Sequence, residues 1–158
     1  MVLKAILGRL FISLSFLLKR VIILFMEVKD AIQLNPLSLA FLGDAVFTLF
    51  VREKLVDNHD FKSGYLHKMA SSFVCAAAQS QMLDAIAEDL TPEEREIARR
   101  SRNCHNVSKA KNAALGVYKK ATALEGVLGF LKITGQTERL YYLMEKCVSA
   151  KETQGGEK

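Results

Sequence analysis

Two acidic residues, Asp44 and Glu125, each stand alone in an apolar stretch of the chain. Burying an ionised carboxylate without a partner costs several kcal/mol or more, so Asp44 is expected to face a cleft, an arginine or a metal ion. Gly43 stands directly before it. A glycine inside a helix costs about 1 kcal/mol relative to alanine, which predicts close approach of another backbone or a ligand there.

Glu125 repeats this pattern later in the chain, followed by Gly126 and Gly129. Two carboxylates on two core helices can converge on one site, and paired hard oxygen ligands suit Mg²⁺ or Mn²⁺. The alternative is that each carboxylate makes a separate structural hydrogen bond or salt bridge.

A basic stretch covers residues 99–120 and contains no acid. Polar groups and one tyrosine are interleaved with its charges, as is typical of a surface that binds a polyanion. The alternative is a solvated helix end and loop. The basic residues are Arg99, Arg100, Arg102, Lys109, Lys111, Lys119 and Lys120.

Paired carboxylates beside a polyanion-binding stretch indicate metal-assisted hydrolysis of phosphodiesters. The ion would polarise the phosphate, lower the pKa of an attacking water and stabilise the leaving oxygen. Carboxylates can hold such an ion without displacing all of its waters. Asp44 and Glu125 are therefore predicted to be metal ligands, and any base role would pass through a bound water.

The elements that position these residues are predicted to be helices throughout. Asn35 and Pro36 have the residue types of an N-cap and a first helical position, and the following residues to Val56 are apolar on nearly every face, as in a central buried helix. Ser63 is expected to cap a second, long helix that continues to Ile86.

The second half of the chain continues the helical pattern. Thr91 and Glu94 have the spacing of a capping box, which predicts a helix from Pro92 to about Asn103. We expect a polar loop over residues 104–115 and then an apolar helix over about 116–134, which Gly135 ends. A last helix, capped by Thr137, is expected to follow. Because period-2 alternation is absent from the sequence, we predict an all-α domain.

The chain has 158 residues, half of them apolar, and a net charge of +5. This composition excludes a disordered or collagen-like protein, and the length favours one domain with a single core. A polytopic membrane protein is also excluded, because Lys19 and Arg20 interrupt the one long apolar run before it reaches the roughly 20 residues that a spanning helix needs.

Most of the net charge lies in residues 1–25, which hold four basic residues and no acid and leave +1 for residues 26–158. A start of the protein at Met26 is the favoured explanation of this extension. A poorly formed secretory signal, an organelle-targeting peptide and a surface anchor are the alternatives, and membrane contact is expected only for an anchor. We expect a catalytic domain over residues 26–150 and a polar tail over 151–158.

The three cysteines, Cys75, Cys104 and Cys147, are odd in number and widely separated. This spacing fits neither a disulfide framework nor a zinc site. Free thiols fit a reducing cytosol, so a cytoplasmic protein is expected.

Five blocks of the sequence carry a resemblance to a known family: Asn35–Val46, His67–Ala76, Arg100–Asn103, Lys111–Asn112 and the Glu125 helix. In this order they resemble the ribonuclease III domain, and most closely its Mini-ribonuclease III subfamily. The resemblance covers about residues 27–148, and an ordered series of blocks is more specific than any one of them.

Asp44 and Glu125 stand where the family has its catalytic aspartate and glutamate. Two further carboxylates of full-length ribonuclease III are replaced here by Ala40 and Thr122, as in the Mini form. The basic stretch departs from the subfamily, which usually has Gly, Lys and Pro where this chain has Ser101, His105 and Ala110.

The resemblance implies a compact helical fold, a homodimer with one metal site per subunit and cleavage of both strands of an RNA duplex. It also implies a substrate, precursor 23S ribosomal RNA trimmed at its paired ends in the assembling large ribosomal subunit, and no small-molecule cofactor. A non-catalytic helical RNA-binding or ribosome-assembly module and an all-α nucleotide hydrolase are the alternatives. We predict an Mg²⁺-dependent endoribonuclease, with Mn²⁺ as the other metal, whose phosphate contacts are Arg100, Arg102, Lys109, Lys111, Lys119 and Lys120.

Overall fold

A computed structural model of the protein describes residues 25–58, 61–104 and 112–155. Over these ranges the chain forms α-helices and one short 3₁₀ turn, with no β-strand, so the predicted all-α class is confirmed. The helices are α1 (Val28–Gln33), α2 (Pro36–Asn58), α3 (Ser63–Val74), α4 (Ala76–Ile86), α5 (Pro92–Asn103), α6 (Asn112–Ile133) and α7 (Thr137–Gly155), with the 3₁₀ turn at Ala87–Asp89.

Two helix starts follow the predicted capping chemistry. The side-chain oxygen of Asn35 accepts a hydrogen bond of 2.9 Å from the N–H of Leu37 at the start of α2. Thr91 and Glu94 form a reciprocal capping box, with bonds of 3.2 and 2.9 Å, and α5 has the predicted bounds. These local hydrogen bonds satisfy N–H groups that a helix start leaves without intrahelical partners.

α6 is the central helix of the domain. Helices α2, α4, α5 and α7 pack against it, and apolar side chains on all of its faces are buried, among them Ala123, Leu124, Val127, Leu128 and Leu131. The predicted apolar helix is therefore confirmed, although it begins earlier, at Asn112, within the stretch expected to be a loop. Residues 105–111 of that stretch lie outside the described residues.

α2 is buried on one side only, which corrects the prediction of a helix buried on nearly every face. Leu39, Phe47 and Val51 are buried, whereas Phe41 and Leu49 are 83% and 57% exposed. An apolar helix surface that a single chain leaves uncovered has the same sequence pattern as a surface in the core, so the pattern alone could not separate the two cases.

The long helix expected over residues 63–86 is two helices, α3 and α4. The break lies at Cys75, whose backbone is extended, with φ −70° and ψ 150°. The Cys75 N–H donates to the Ser71 carbonyl, which ends α3, and the Cys75 carbonyl accepts from Gln79 N–H, which begins α4. Ser63 is the first residue of α3 and makes no capping hydrogen bond; Lys62 occupies the cap position.

The end of α6 is fixed by Gly135, which has a φ of +72°. This left-handed conformation favours glycine, so the predicted stop is confirmed. Gly135 also lies against the Phe25 ring, and the Met26 N–H donates to the Ile133 carbonyl at 2.8 Å. Thr137 is the first residue of α7 rather than its cap.

The N-terminal extension predicted over residues 1–25 lies outside the described residues except for Phe25. Among the helices that are described, none combines the length and apolar character needed to cross a membrane.

Candidate active site

Helices α2 and α6 cross in backbone contact at two glycines. A Cβ atom on Gly43 would lie 1.8 Å from the carbonyl oxygen of Glu125, and one on Gly129 would lie 1.9 Å from that of Leu39. Any side chain at either position would force the two helices apart. The expectation that Gly43 permits close approach of another backbone is confirmed, and this contact brings Glu125 next to the residue that precedes Asp44.

The two carboxylates influence each other electrostatically. Burial, with the nearby negative charge of Asp44 adding to it, raises the pKa of Glu125 to about 7, and the Gln79 side chain opposes this shift. Glu125 is half-buried, whereas Asp44 is exposed to solvent. The structure thus brings the two predicted ligands together at the surface, and within the described ranges neither is in a salt bridge.

The donor set fits a hard divalent cation. Two adjacent carboxylates repel each other when both are ionised, and a cation between them offsets that repulsion. The described part of the chain contains no cluster of three or more His, Cys, Asp or Glu that could hold a metal. Two carboxylates leave the remaining coordination positions to water and phosphate oxygens, which is the way Mg²⁺ is usually bound.

The positions that carry extra carboxylates in full-length ribonuclease III add no ligand here. Ala40 is buried with 5% exposure. Thr122 is also buried, and its hydroxyl donates to the Tyr118 carbonyl of its own helix at 3.1 Å. Asp44 and Glu125 are therefore the candidate protein ligands among the residues described.

Arg100 makes hydrogen bonds inside the protein, so a phosphate contact would use the remaining N–H groups of its guanidinium. Its guanidinium donates to the carbonyl oxygens of Ile32 and Leu34, the second at 3.2 Å. These carbonyls lie at the C-terminal end of α1, where helical carbonyls lack intrahelical partners. Arg100 thus ties α5 to α1, and its phosphate contact stays a prediction.

Lys120 does not lie beside the carboxylates. Its ammonium donates to both carboxylate oxygens of Asp84, at 2.8 and 2.7 Å. Lys120 and Glu125 are five residues apart on α6, which places them about 140° apart around the helix axis.

The other predicted phosphate contacts are divided between the surface and the part of the chain that is not described. Arg102 is exposed and lines, with Lys120, a cleft between α4, α5 and α6. Lys119 is half-buried, and Lys109 and Lys111 lie outside the described residues.

Gln79 is a site residue that the sequence reasoning missed. It is 1% exposed, and its side chain acts on the pKa of Glu125. A signal existed in the sequence, because Gln79 lies three residues from both Ala76 and Met82, which belong to the apolar pattern of the predicted helix. A polar residue at such a position needs a partner in the core.

Comparison with known proteins identifies the family. Residues 37–136 match the Ribonuclease III domain. Mini-ribonuclease 3 of Enterococcus faecalis is 39% identical over 123 residues, which cover 77% of this chain and 93% of that protein. Mini-ribonuclease 3 of Staphylococcus aureus is 40% identical over 118 residues, covering 73% of this chain and 88% of that protein.

A solved structure agrees with these relatives. The crystal structure of a protein from Fusobacterium nucleatum superposes with a TM-score of 0.67 at 27% identity, covering 75% of this chain and 95% of that one. The chain therefore belongs to the ribonuclease III family and is an endoribonuclease that acts on double-stranded RNA.

Proposed function

We propose that Asp44 and Glu125 together hold a divalent cation, Mg²⁺ or Mn²⁺, at which this endoribonuclease hydrolyses the phosphodiester bonds of an RNA duplex. The observation that carries the proposal is the backbone contact of Gly43 with Glu125. This contact puts one carboxylate on each of two packed helices at a common surface point.

The protein contributes to the reaction by holding the carboxylates of Asp44 and Glu125 side by side. Asp44 is exposed and accessible to an RNA backbone, while Glu125 is set deeper beside it. Both must be ionised to hold a cation, and the cation offsets the repulsion that contributes to the raised pKa of Glu125. When bound, the ion supplies polarisation of the phosphate and a lowered pKa of an attacking water.

Among the described residues, we assign phosphate contacts to Arg102 and Lys119, which form none of the salt bridges found there. Lys109 and Lys111, which lie outside the described residues, stay predicted phosphate contacts. Lys120 can reach RNA only by releasing Asp84, so it contributes less. An A-form duplex is recognised mainly by its shape and by phosphate and 2′-hydroxyl contacts, which suits a small basic surface.

A homodimer is part of the proposal, because α2 carries an uncovered apolar stripe. Phe41, Ala45 and Leu49 are exposed at four-residue intervals, with Phe41 at 83%. Large exposed apolar side chains in a row mark an interaction surface. Asp44 is exposed three residues after Phe41, which places it about 60° from Phe41 around the helix axis and at the flank of the stripe. Pairing of two stripes would therefore place both metal sites near the interface.

The proposed substrate is precursor 23S ribosomal RNA, cut where its ends are paired, in the cytoplasm. The relatives' name, Mini-ribonuclease 3, and the paired-carboxylate site support a nuclease of duplex RNA rather than a non-catalytic module. The described part of the chain has three free cysteines, which is consistent with a reducing compartment.

Substitution of Asp44 tests the metal site. Asp44→Asn removes a ligand charge without changing the side-chain shape, so Mg²⁺-dependent cleavage of an RNA duplex should fall at least 1,000-fold, about 4 kcal/mol in the transition state. Helical content and RNA binding should be unchanged. Asp57→Asn, on the same helix, is the matched control and should cleave like the wild type. Wild-type activity of Asp44→Asn would rule out the proposed site.

A further inference from the structure

We propose that the cleft between α4, α5 and α6 binds a nucleotide, supplied by an RNA strand that extends unpaired beyond the duplex. The cleft has a volume of about 500 Å³, which is typical of a site for a small ligand. The inference rests on the activity toward RNA established above and is independent of the proposed metal site.

The wall of the cleft that α5 forms is basic. Arg95, Arg99 and Arg102 line this wall, and their spacing of four and then three residues places them along one face of the helix. All three are exposed. Lys120 of α6 adds a fourth cation to the lining. Because four cations from two helices converge on one cleft, it attracts a phosphate group.

The deeper part of the lining is apolar. Leu90 and Ala123 line the cleft and are buried, with 6% and 3% exposure. Leu83 and Ala98, which are half-buried, extend this apolar surface. A nucleobase that is not stacked on its neighbours has a flat face that can cover such a surface. A phosphate ion alone would leave it uncovered.

The wall of the cleft opposite α5 carries two carboxylates, Asp84 of α4 and Glu88 of the 3₁₀ turn. Carboxylates repel phosphates, but they accept hydrogen bonds from the amino groups of bases. Asp84 pairs with Lys120, and the two side chains are 59% and 34% exposed. An ion pair as exposed as this contributes little to stability, so a ligand can replace either partner. The lining therefore fits a phosphate joined to an amino-bearing base.

The cleft and the candidate metal site lie on different faces of α6. Ala123, which lines the cleft, precedes Glu125 by two residues, so the two side chains are about 160° apart around the helix axis. A nucleic-acid duplex is too stiff to follow α6 from one face to the other. RNA that is bound at the carboxylates can therefore reach the cleft only with an unpaired strand.

The test is the affinity of the full chain for RNA, measured by fluorescence anisotropy in EDTA at fixed ionic strength. Two duplexes are compared, one with blunt ends and one with a short unpaired run of adenosines at each 3′ end. Wild type should bind the extended duplex about 10-fold more tightly than the blunt one. Arg99→Gln should lose most of this difference, because it removes one cation from the basic wall.

Ala87→Phe tests the same cleft by filling it. Ala87 is exposed and belongs to the lining, so a phenyl ring there should displace the base and remove the preference for the extended duplex. Ala85→Phe is the matched control, at an exposed position of α4 outside the lining, and should keep the preference. Circular dichroism checks that each variant is folded, and Arg99→Gln tests the cleft without changing its packing.

Adenosine monophosphate distinguishes the two sources of a nucleotide. Calorimetric binding of this nucleotide to wild type and not to Arg99→Gln, without any preference for the extended duplex, would support the cleft as a site for a free nucleotide. No preference and no binding of the nucleotide would overturn the inference. A preference that persists in both Arg99→Gln and Ala87→Phe would overturn it too. Failure of the metal site would not affect these measurements, because they are made without divalent cations.

Discussion

Glu125 links catalysis to stability at the scale of a single side chain. In the metal-free protein its pKa is raised to about 7 from an ordinary value of 4.5. The folded protein therefore keeps the proton to a higher pH than the unfolded chain does. The contribution of Glu125 to the stability of the folded protein is therefore fully present below about pH 4.5. It is lost as the pH rises through about 7.

Glu125→Gln should consequently stabilise the metal-free protein at pH 8 by about 2 kcal/mol, since a shift of one pKa unit corresponds to about 1.4 kcal/mol and the site is partly exposed. At pH 5 the difference should be small. Urea unfolding in EDTA at the two pH values measures it. An equal or lower stability of Glu125→Gln at pH 8 would contradict the electrostatic cause.

The pKa of Glu94 is shifted in the opposite direction, downward. Burial alone would raise its pKa, but hydrogen bonds from the Arg139 guanidinium and the Thr91 N–H outweigh burial and leave the pKa below 4.5. Glu94 is 2% exposed, and its oxygens accept bonds of 2.9 Å from Arg139. The contribution of Glu94 to stability is fully present above the pKa that it has in the unfolded chain. It is lost as the pH falls through the lower pKa that it has in the folded protein.

Glu94→Gln keeps an acceptor for the capping box but removes the charge that pairs with Arg139. It should destabilise the protein by about 2 kcal/mol at pH 7, and the difference from wild type should shrink as the pH falls below about 4.5. Chemical unfolding at pH 7 and pH 3.5 measures both values. A difference that does not change with pH would mean that the ion pair does not stabilise the fold.

The sequence indicated the two carboxylates because a lone charge in an apolar stretch is conspicuous without any structure. The internal hydrogen bonds of Arg100 were not predictable, for the converse reason. A cation among other cations has the same pattern whether it faces a phosphate or, as here, the carbonyls of Ile32 and Leu34. Its partners lie far away in sequence, and only the tertiary structure shows them.

At the scale of elements, helix starts and stops were predictable where local chemistry decides them. Asn35, the Thr91 and Glu94 box, and Gly135 are examples. The break at Cys75 was not predictable, because it contains neither glycine nor proline. It arises where the packing of α4 on α6 and α7 outweighs the continuous helical pattern of the sequence.

The crossing of α2 and α6 gives a matched pair of alanine substitutions on one helix. Gly129→Ala places a methyl group 1.9 Å from the Leu39 carbonyl oxygen, so the helices must separate, and a loss of about 3 kcal/mol in stability together with most cleavage activity is expected. Gly116→Ala meets no atom within 4 Å and should be neutral or stabilise by up to about 1 kcal/mol. Thermal unfolding and a duplex-cleavage assay distinguish the two variants. Similar behaviour of both would show that close helix contact is not required.

At the scale of the whole molecule, the proposed dimer predicts the effect of one surface change. Phe41→Ser removes the most exposed phenylalanine of the α2 stripe, so the protein should become monomeric at concentrations where wild type is dimeric, with its helical content retained. Tyr142→Ser removes an exposed aromatic ring from α7 and is the control. Analytical ultracentrifugation measures the oligomeric state of both variants. An unchanged sedimentation coefficient for Phe41→Ser would place any interface elsewhere.

The overall charge of +5 gave little information about the RNA-binding surface. Four of the positive charges belong to residues 1–25, and within the basic stretch Arg100 and Lys120 are engaged by the protein. The local distribution of the basic residues on the surface, rather than the net charge of the chain, determines the field that an RNA backbone meets.

The glycine contact between α2 and α6 has a consequence for how enzyme and substrate adapt to each other. With backbone against backbone at Gly43 and Gly129, the distance between the two carboxylate-bearing chain segments cannot change without separating the central helices of the core. Local opening of the site then requires nearly the free energy of global unfolding, so amide hydrogens near Glu125 should exchange among the slowest in the protein. The active-site backbone is a rigid body, and adjustment during binding falls to surface side chains and to the RNA.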